Sequence, residues 1–494
     1  MNSDESNGFD RPFQHLPEWV RGSMIKYLST RGEAPPLSFT QALLTGLAPD
    51  GGLYLPDHYP HFTPETIKGF AGKPYAEVAT QVIAPFVGDD LPLPILRDMI
   101  EAAYAGFRHP AVTPLSQIDS GTFLLELFHG PTLAFKDVAM QLLGRLMDHV
   151  LKERGARATI VGATSGDTGA AAIEAFRGLE QVDVFILYPH GRVSDVQRRQ
   201  MTTVEDANIH AIALEGTFDD AQAILKGLFQ NEALRQRLNL SGVNSINWAR
   251  VVAQSVYYFT SAVVLGAPHR PVSYTVPTGN FGDILAGWIA KRMGLAIDRL
   301  VIATNANDIL VRALAEGRYE VKGVQPTQSP SMDIQVSSNF ERLLFEAYNR
   351  DASSLRRLMA QLGQSRGFTI DSGPLETIRA EFDAISVGEA DTTAEITRIW
   401  RNAEMLIDPH TAVGMAAAHR HAKQHASTSP MVVLGTAHPA KFPDAMEAAT
   451  GLRPPLPEHL AEIIKKPEHF TVLPNDQAAI ESFLLDHARA ARQA

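Results

Sequence analysis

The amino-acid sequence predicts an α/β fold of mostly parallel sheets covered by helices. From Thr122 onward, short apolar runs of β type alternate with amphipathic helical runs, the pattern of strand–helix–strand crossovers. Two of the strand-to-helix turns are rich in glycine and hydroxyl residues, the composition of loops whose amides can receive an anion.

The opening of the chain has a different character. Pro35-Pro36, Gly51-Gly52, Pro56 and Pro60 mark a loop-rich segment, and helical runs follow over 64–86 and 92–107. The run 122–128 (TFLLELF) reads as a short buried strand, and 137–154 (DVAMQLLGRLMDHVLKER) as an amphipathic helix. Between them lies His129-Gly130-Pro131-Thr132-Leu133-Ala134-Phe135-Lys136-Asp137, whose Gly-Pro step interrupts regular structure and sets Lys136 at the first turn of the helix. The positive end of the helix dipole disfavours the ammonium there, and an amine so perturbed can form a Schiff base with a carbonyl. Position alone also suits a solvated lysine beside a cap.

Two further loops share this design. The strand 159–161 runs into Gly162-Ala163-Thr164-Ser165-Gly166-Asp167-Thr168-Gly169 and an Ala-rich helix over 170–176. The strand 272–276 runs into Pro277-Thr278-Gly279-Asn280-Phe281-Gly282-Asp283 and a helix over 284–293. Small residues before a helix leave backbone N–H groups free and approachable, which is how an anion cradle is built. Neither loop ends in the Lys-Ser or Lys-Thr of a P-loop and neither is GxGxxG, so each alone is also ordinary turn chemistry. Further β-type runs occupy 182–188, 209–214 and 300–304, and a long helix over 247–265 repeats Val251, Ser255, Tyr258 and Val263. The region 339–405 reads as mainly helical, 431–434 as a last buried strand ending in Gly435-Thr436-Ala437-His438-Pro439, and 481–492 as an amphipathic helix.

At 494 residues the chain is too long for one core and suggests about two to four domains. A net charge of −11 argues against a nucleic-acid surface, and the absence of cysteine removes disulfides, zinc–thiolate sites and cysteine nucleophiles. No apolar stretch is long enough to cross a bilayer and the N-terminus carries no signal pattern, so a cytoplasmic protein without membrane partners is expected. Residues 1–23 read as a flexible extension, with Met24 a natural first residue. His419, His421 and His425 cluster without an acidic or sulfur neighbour in sequence, which reads as an exposed face of an Ala-rich helix rather than a metal site.

One lysine and two anion cradles are explained together by a cofactor carrying an aldehyde and a phosphate, beside a substrate with its own anionic groups. Pyridoxal 5'-phosphate fits that description. HGPTLAFKD, GATSGDTGAAA, NSINWAR, PTGNFGD and GTAHPAKF occur in this order, and together they resemble the threonine synthase family, in its longer bacterial and fungal type. The resemblance runs from about Met24 nearly to the C-terminus. It implies two helix-covered, mostly parallel sheets of the tryptophan-synthase-β-like type (fold type II) with an N-terminal accessory domain. The expected division is an extension over 1–23, an N-terminal domain over 24–115, an α/β domain with the lysine over 116–245, a second α/β domain with the cofactor-phosphate loop over 246–451, and a C-terminal helical tail over 452–494.

The resemblance further implies that Lys136 holds the cofactor and then shuttles a proton at Cα. Gly279, Asn280, Phe281 and Gly282 would receive the cofactor phosphate with Asp283 at the edge of that loop, and Thr436 would hydrogen-bond the pyridine nitrogen. Thr164, Ser165 and Thr168 would take the substrate carboxylate. Ser245, Asn247 and Arg250 would take its phosphate, with Lys441 a weaker candidate; an arginine fork beside hydroxyl and amide donors suits a dianion. Asp137 is expected to cap the helix. His129 and His438 adjoin the proposed loops without an assignable role.

The implied activity is that of a pyridoxal-phosphate-dependent carbon–oxygen lyase acting on phosphates, converting O-phospho-L-homoserine and water to L-threonine and phosphate. Its expected partner is this small molecule, in a monomer or homodimer. Two alternatives stand beside it: a related phospholyase that releases a 2-oxo acid, and a non-catalytic pyridoxal-phosphate-binding protein, which would have no use for Ser245, Asn247 and Arg250.

Overall fold

The computed structural model describes residues 25–242 and 245–492, so the extension expected over 1–23, with Met24, lies outside the described residues. Among the described residues the strands form two large sheets and two small ones. The larger has six strands in the order β13 (Phe382–Ser386), β10 (Ile297–Thr304), β9 (Val272–Pro277), β14 (Met431–Gly435), β4 (Thr122–Glu126) and β3 (Leu115–Gln117). Its pairings are parallel except for β3 with β4. The second has five parallel strands in the order β15 (Thr471–Pro474), β7 (Ile209–Glu215), β6 (Val182–Pro189), β5 (Ala158–Ala163) and β8 (Leu240–Ser241). β1 (Tyr27–Ser29) pairs antiparallel with β2 (Tyr54–Pro56), as does β11 (Arg318–Glu320) with β12 (Gly367–Thr369).

This is the predicted α/β class, and its cause is visible in burial. Every residue of β6 and of β9 is buried, because helices cover both faces, so these strands read as continuous runs rather than alternating ones. The strand order, however, divides the chain differently from the expected boundary at 116. β4, the strand that leads to Lys136, lies in the six-stranded sheet beside β14, while the helix that follows it (Lys136–Glu153, the lysine helix) packs on the helix Asp167–Phe176 that follows β5 of the other sheet. The lysine therefore crosses from one sheet to the other.

Three local readings change. The helical run expected over 64–86 is two helices, Pro64–Lys68 and Tyr75–Val87, separated by a turn that contains Gly69 and Gly72 and ends at Pro74. The region 339–405 contains β12 and β13 as well as helices, β13 forming an edge of the large sheet. The tail expected to be helical contributes β15 to the edge of the second sheet, and Arg489 anchors its end by donating from backbone N (2.7 Å) and Nε (2.6 Å) to the buried Asp183 carboxylate.

The N-terminal segment is tied to the middle of the chain. Arg342, fully buried, donates to the carbonyls of Tyr54 (2.7 Å) and Ile246 (2.6 Å), tying β2 to the start of the helix Trp248–Val264. The lysine helix meets its neighbour at a close crossing: a Cβ on Gly144 would lie 2.4 Å from the Ala175 carbonyl oxygen. Gly144→Ala should therefore push the two helices apart and cost about 1–3 kcal/mol. A drop in the thermal unfolding midpoint is the expected readout, and an unchanged midpoint would mean that the crossing adjusts freely.

Candidate active site

Lys136 opens its helix with only 7% of its surface exposed. Main-chain bonds fix the turn that delivers it: the Phe135 N–H donates to the Thr436 carbonyl at 2.8 Å, and Ala134 bridges to Ala437, so the lysine loop is locked to the end of β14. Asp137, expected to cap the helix, instead fastens the preceding turn, its carboxylate accepting from the Thr132 N–H (2.8 Å) and hydroxyl (2.6 Å). The Lys136 amine is pushed down to about 8. Burial is the largest cause; Asp167 opposes it, while the cations Lys441 and Arg250 reinforce it. Desolvation is thus the main cause of the shift.

The loop after β9 is built as a donor array. The N–H groups of Gly279, Asn280, Phe281 and Gly282 donate to no acceptor among the described residues. Their carbonyls are turned the other way: the Ser337 hydroxyl donates to Gly279 O (2.6 Å), and the Asn339 backbone and side-chain N–H groups each donate to Asn280 O at 3.0 Å. Phe281 holds a left-handed conformation (φ 65°) as the helix Gly282–Arg292 begins. A Cβ on Gly279 would stand 2.9 Å from the Ser331 carbonyl oxygen, so only glycine fits. Free amides at a helix N-terminus suit a phosphate. Asp283 is buried: its Oδ1 accepts from the hydroxyls of Tyr257 and of Tyr258 (3.1 Å), its Oδ2 bonds to no described residue, and burial pushes the carboxyl up to about 7.

Asp167 lies between Ser331, whose carbonyl packs against Gly279, and the lysine. The Ser331 hydroxyl donates to Asp167 Oδ2 at 3.5 Å, and that oxygen lies 3.9 Å from Lys136 Nζ. Thr436 is buried beside them, and its hydroxyl bonds to no described residue, leaving it available to a ring nitrogen. A buried amine, an array of free amides and an unengaged hydroxyl fit pyridoxal phosphate.

The remaining expected residues divide by how far their polar atoms are already engaged. Thr164 Oγ1 accepts from the N–H groups of Gly166 and Gly169, both at 2.9 Å, so it shapes the loop after β5. The half-buried hydroxyls of Ser165 and Thr168 bond to no described residue. Asn247 caps the helix Trp248–Val264 through Oδ1 on the Ala249 N–H (3.0 Å) and donates Nδ2 to the Leu43 carbonyl (2.9 Å), a bracing role rather than an open contact. Ser245 is half-buried, and its carbonyl accepts from Asn339 Nδ2 (3.0 Å). Arg250 is 4% exposed, and burial pushes its guanidinium down to about 10. Lys441 is wholly buried, donating to Asp167 Oδ1 (2.7 Å) and the Thr132 carbonyl (2.8 Å). Asp167 and the supporting residues Ser331, Ser337 and Asn339 were not among the expected site residues; Asp167 lay inside a quoted motif, but nothing local marked the other three.

His129 Nε2 and Glu126 Oε2 are 2.7 Å apart, and burial pushes His438 down to about 4. The helix Pro409–Gln424 is buried along most of its length, not exposed as its alanines suggested. His419 pairs with Glu395 (2.9 Å) and the buried His421 with Asp383 (2.9 Å), so acidic partners do accompany the histidines, brought in from elsewhere in the chain. His425 stacks on His421, but both Asp383 oxygens accept from Arg299 (2.6 and 2.9 Å), which makes this trio an ion-pair cluster.

Three family descriptions match the chain: "Threonine synthase N terminus" over residues 26–104, "Pyridoxal-phosphate dependent enzyme" over 107–437, and "Threonine synthase, C-terminal" over 411–484. The threonine synthase of Pseudomonas aeruginosa is 50% identical over 94% of this chain and 98% of its own. A PLP-bound threonine synthase structure from Brucella melitensis is similar with a TM-score of 0.92 and 58% identity, over 94% of this chain and 100% of that one. A threonine synthase structure from yeast has a TM-score of 0.89 and 38% identity, over 96% and 99%.

Replacing Gly279 should disturb the donor array without touching the lysine. Gly279→Ala is expected to weaken pyridoxal phosphate binding roughly tenfold to a hundredfold, the worth of one or two charge-assisted hydrogen bonds. Equilibrium titration followed by absorbance measures this, and wild-type affinity would remove the loop from the cofactor's phosphate.

Proposed function

The chain belongs to the threonine synthase family of pyridoxal-phosphate-dependent enzymes, and from that premise we propose that it converts O-phospho-L-homoserine and water to L-threonine and phosphate. The observation that carries the reading is a buried Lys136 amine 3.9 Å from the Asp167 carboxylate, which Ser331 also contacts, with the Ser331 carbonyl packed against Gly279 of the loop of free amides. The reading also includes action in the cytoplasm on this small molecule, as a monomer or homodimer. No helix among the described residues is long and apolar enough to cross a membrane.

When bound, pyridoxal phosphate supplies an electron sink conjugated to the substrate's α-carbon. The amides of Gly279, Asn280, Phe281 and Gly282 would hold the cofactor's phosphate, the Thr436 hydroxyl would serve its ring nitrogen, and Lys136 Nζ would attach it. Ser165 and Thr168 hold the substrate carboxylate, with Thr164 keeping their loop in shape. Arg250 and Ser245 hold the γ-phosphate, with Asn247 fixing the helix end from which Arg250 projects. Gripping both ends of the substrate orients Cα toward Lys136, which converts binding into rate.

The net reaction removes protons from Cα and Cβ, expels phosphate from Cγ, protonates Cγ, adds water at Cβ and restores the proton on Cα. Lys136 Nζ takes and returns the Cα proton. Its amine, lowered to about 8, is poised to do both near neutral pH, where an ordinary lysine would stay protonated.

Lys136→Ala should lower turnover by roughly a thousandfold or more and abolish the visible absorbance of the bound cofactor. Retained turnover would exclude Lys136 as the proton carrier. Arg250→Ala should raise KM for phosphohomoserine by roughly tenfold to a hundredfold, with a smaller change in kcat. An unchanged KM would take Arg250 out of the phosphate site. Product analysis completes the test: threonine and phosphate in equal amounts support the synthase, whereas 2-oxobutanoate would identify the phospholyase.

A further inference from the structure

Two lysines share one carboxylate at the centre of this molecule. Asp167 Oδ1 lies 2.7 Å from Lys441 Nζ, and its Oδ2 lies 3.9 Å from Lys136 Nζ. Gln197 Nε2 donates to Oδ1 at 2.9 Å, and Ser331 Oγ to Oδ2 at 3.5 Å, so the carboxylate is held from several sides. Lys441 has no exposed surface, and burying an ammonium that completely is tolerated only when it is paired. The reading of Lys136 as a proton carrier leaves this pair unused.

The arrangement answers an electrostatic problem. A lone carboxylate 3.9 Å from Lys136, in an environment this dry, would favour the ammonium, which can neither attack an aldehyde nor accept a proton. Yet an ionised Asp167 is useful beside the amine, because it fixes the direction of Nζ. We propose that Lys441 is a positioning residue that neutralises Asp167, so that Asp167 can orient Lys136 without holding it protonated, and that this pair sets the pH at which Lys136 becomes a free amine. The inference rests on Lys136 carrying the cofactor.

The other charged groups around the amine act in known directions. Arg250, on the neighbouring helix, also disfavours the ammonium. Asp137 favours it, but its carboxylate is turned onto Thr132. His410 faces the cluster through Ser331, whose N–H donates to its Nε2 at 3.2 Å, leaving Nδ1 toward Asp408. Burial remains the main reason that the amine titrates at about 8, with Asp167 pulling it up and Lys441 pushing it down.

The signs give a two-sided test. Lys441→Met leaves Asp167 with Lys136 as its remaining lysine partner, so the free amine should appear at higher pH. Asp167→Asn removes the anion and leaves Lys441 as an added cation, so the free amine should appear at lower pH. Each shift should be roughly one to three pH units. The double variant Asp167→Asn/Lys441→Met removes both charges, avoids an unpaired buried ion, and should titrate between the two single variants.

The measurement is the rate at which the full-length chain, stripped of cofactor, recombines with pyridoxal phosphate as a function of pH, followed by absorbance. The midpoint of that profile reports the free amine and does not depend on turnover. Opposite shifts with an intermediate double variant support the proposal. Shifts of the same sign, or midpoints all equal to wild type, overturn it, since a merely structural pair would lower the amplitude without moving midpoints in opposite directions. Should either single variant fail to fold, the double variant decides: a midpoint within one unit of wild type supports compensation, and a larger displacement refutes it. If the wild-type chain forms no absorbing adduct at all, the assignment of Lys136 to the cofactor fails instead.

Discussion

A primary amine kept out of water is the constraint from which this site follows. Lys136 leaves solvent because its loop is nailed to the end of β14 by the bond from the Phe135 N–H to the Thr436 carbonyl, and because Asp137 fastens the turn before it. Desolvating an ammonium is unfavourable, and the protein does not relieve that cost by placing a single full counter-charge beside it. It surrounds the amine with a carboxylate that is itself engaged by a second lysine. The result is an amine pushed down to about 8, well below an ordinary lysine.

The same constraint explains why the site straddles two sheets. Parallel sheets present their loops at the carboxyl ends of strands, and one sheet offers only one row of such loops. Here β4, β9 and β14 of the six-stranded sheet supply the lysine loop, the amide array and Thr436, while β5 of the other sheet supplies Ser165, Asp167 and Thr168. The lysine helix joins the rows by starting at one sheet and packing on the helix of the other, at a crossing where Gly144 leaves no room for a side chain.

Much of this was legible because it is local. Strand, small-residue turn and helix succeed one another within a dozen or so residues, so the lysine loop, the loop after β5 and the loop after β9 could be read directly, and their free amides follow from helix geometry. What could not be read is set by partners far along the chain. Ser337 and Asn339 turn the carbonyls of Gly279 and Asn280 away from the pocket, yet no pattern in their own neighbourhood announces it. β13 and β15 are short, and β15 ends in proline, so their edge pairings lie below what alternation can signal. The helix Pro409–Gln424 was misread because alanine suits both a solvated face and tight burial, and here the burial wins. Asn247 stood in the right place for a ligand contact, but a cap and a bond to Leu43 already occupy its side chain.

Asp283 shows most clearly how position and direction part company. Its place at the end of the glycine loop suggested a contact with the cofactor, and the structure shows that one carboxylate oxygen, Oδ1, reaches back to Tyr257 and Tyr258. That places it between two functional helices. Gly282–Arg292 begins with the amide array, and Trp248–Val264 carries Arg250 seven residues before Tyr257, which is two turns along the same face. A buried carboxyl bonded to two hydroxyls of the neighbouring helix fixes the spacing between these helices more firmly than apolar packing alone, because sliding either one would leave buried polar atoms without partners. Asp283 thus acts as a tie that fixes the helix opening with the amide array against the helix that carries Arg250.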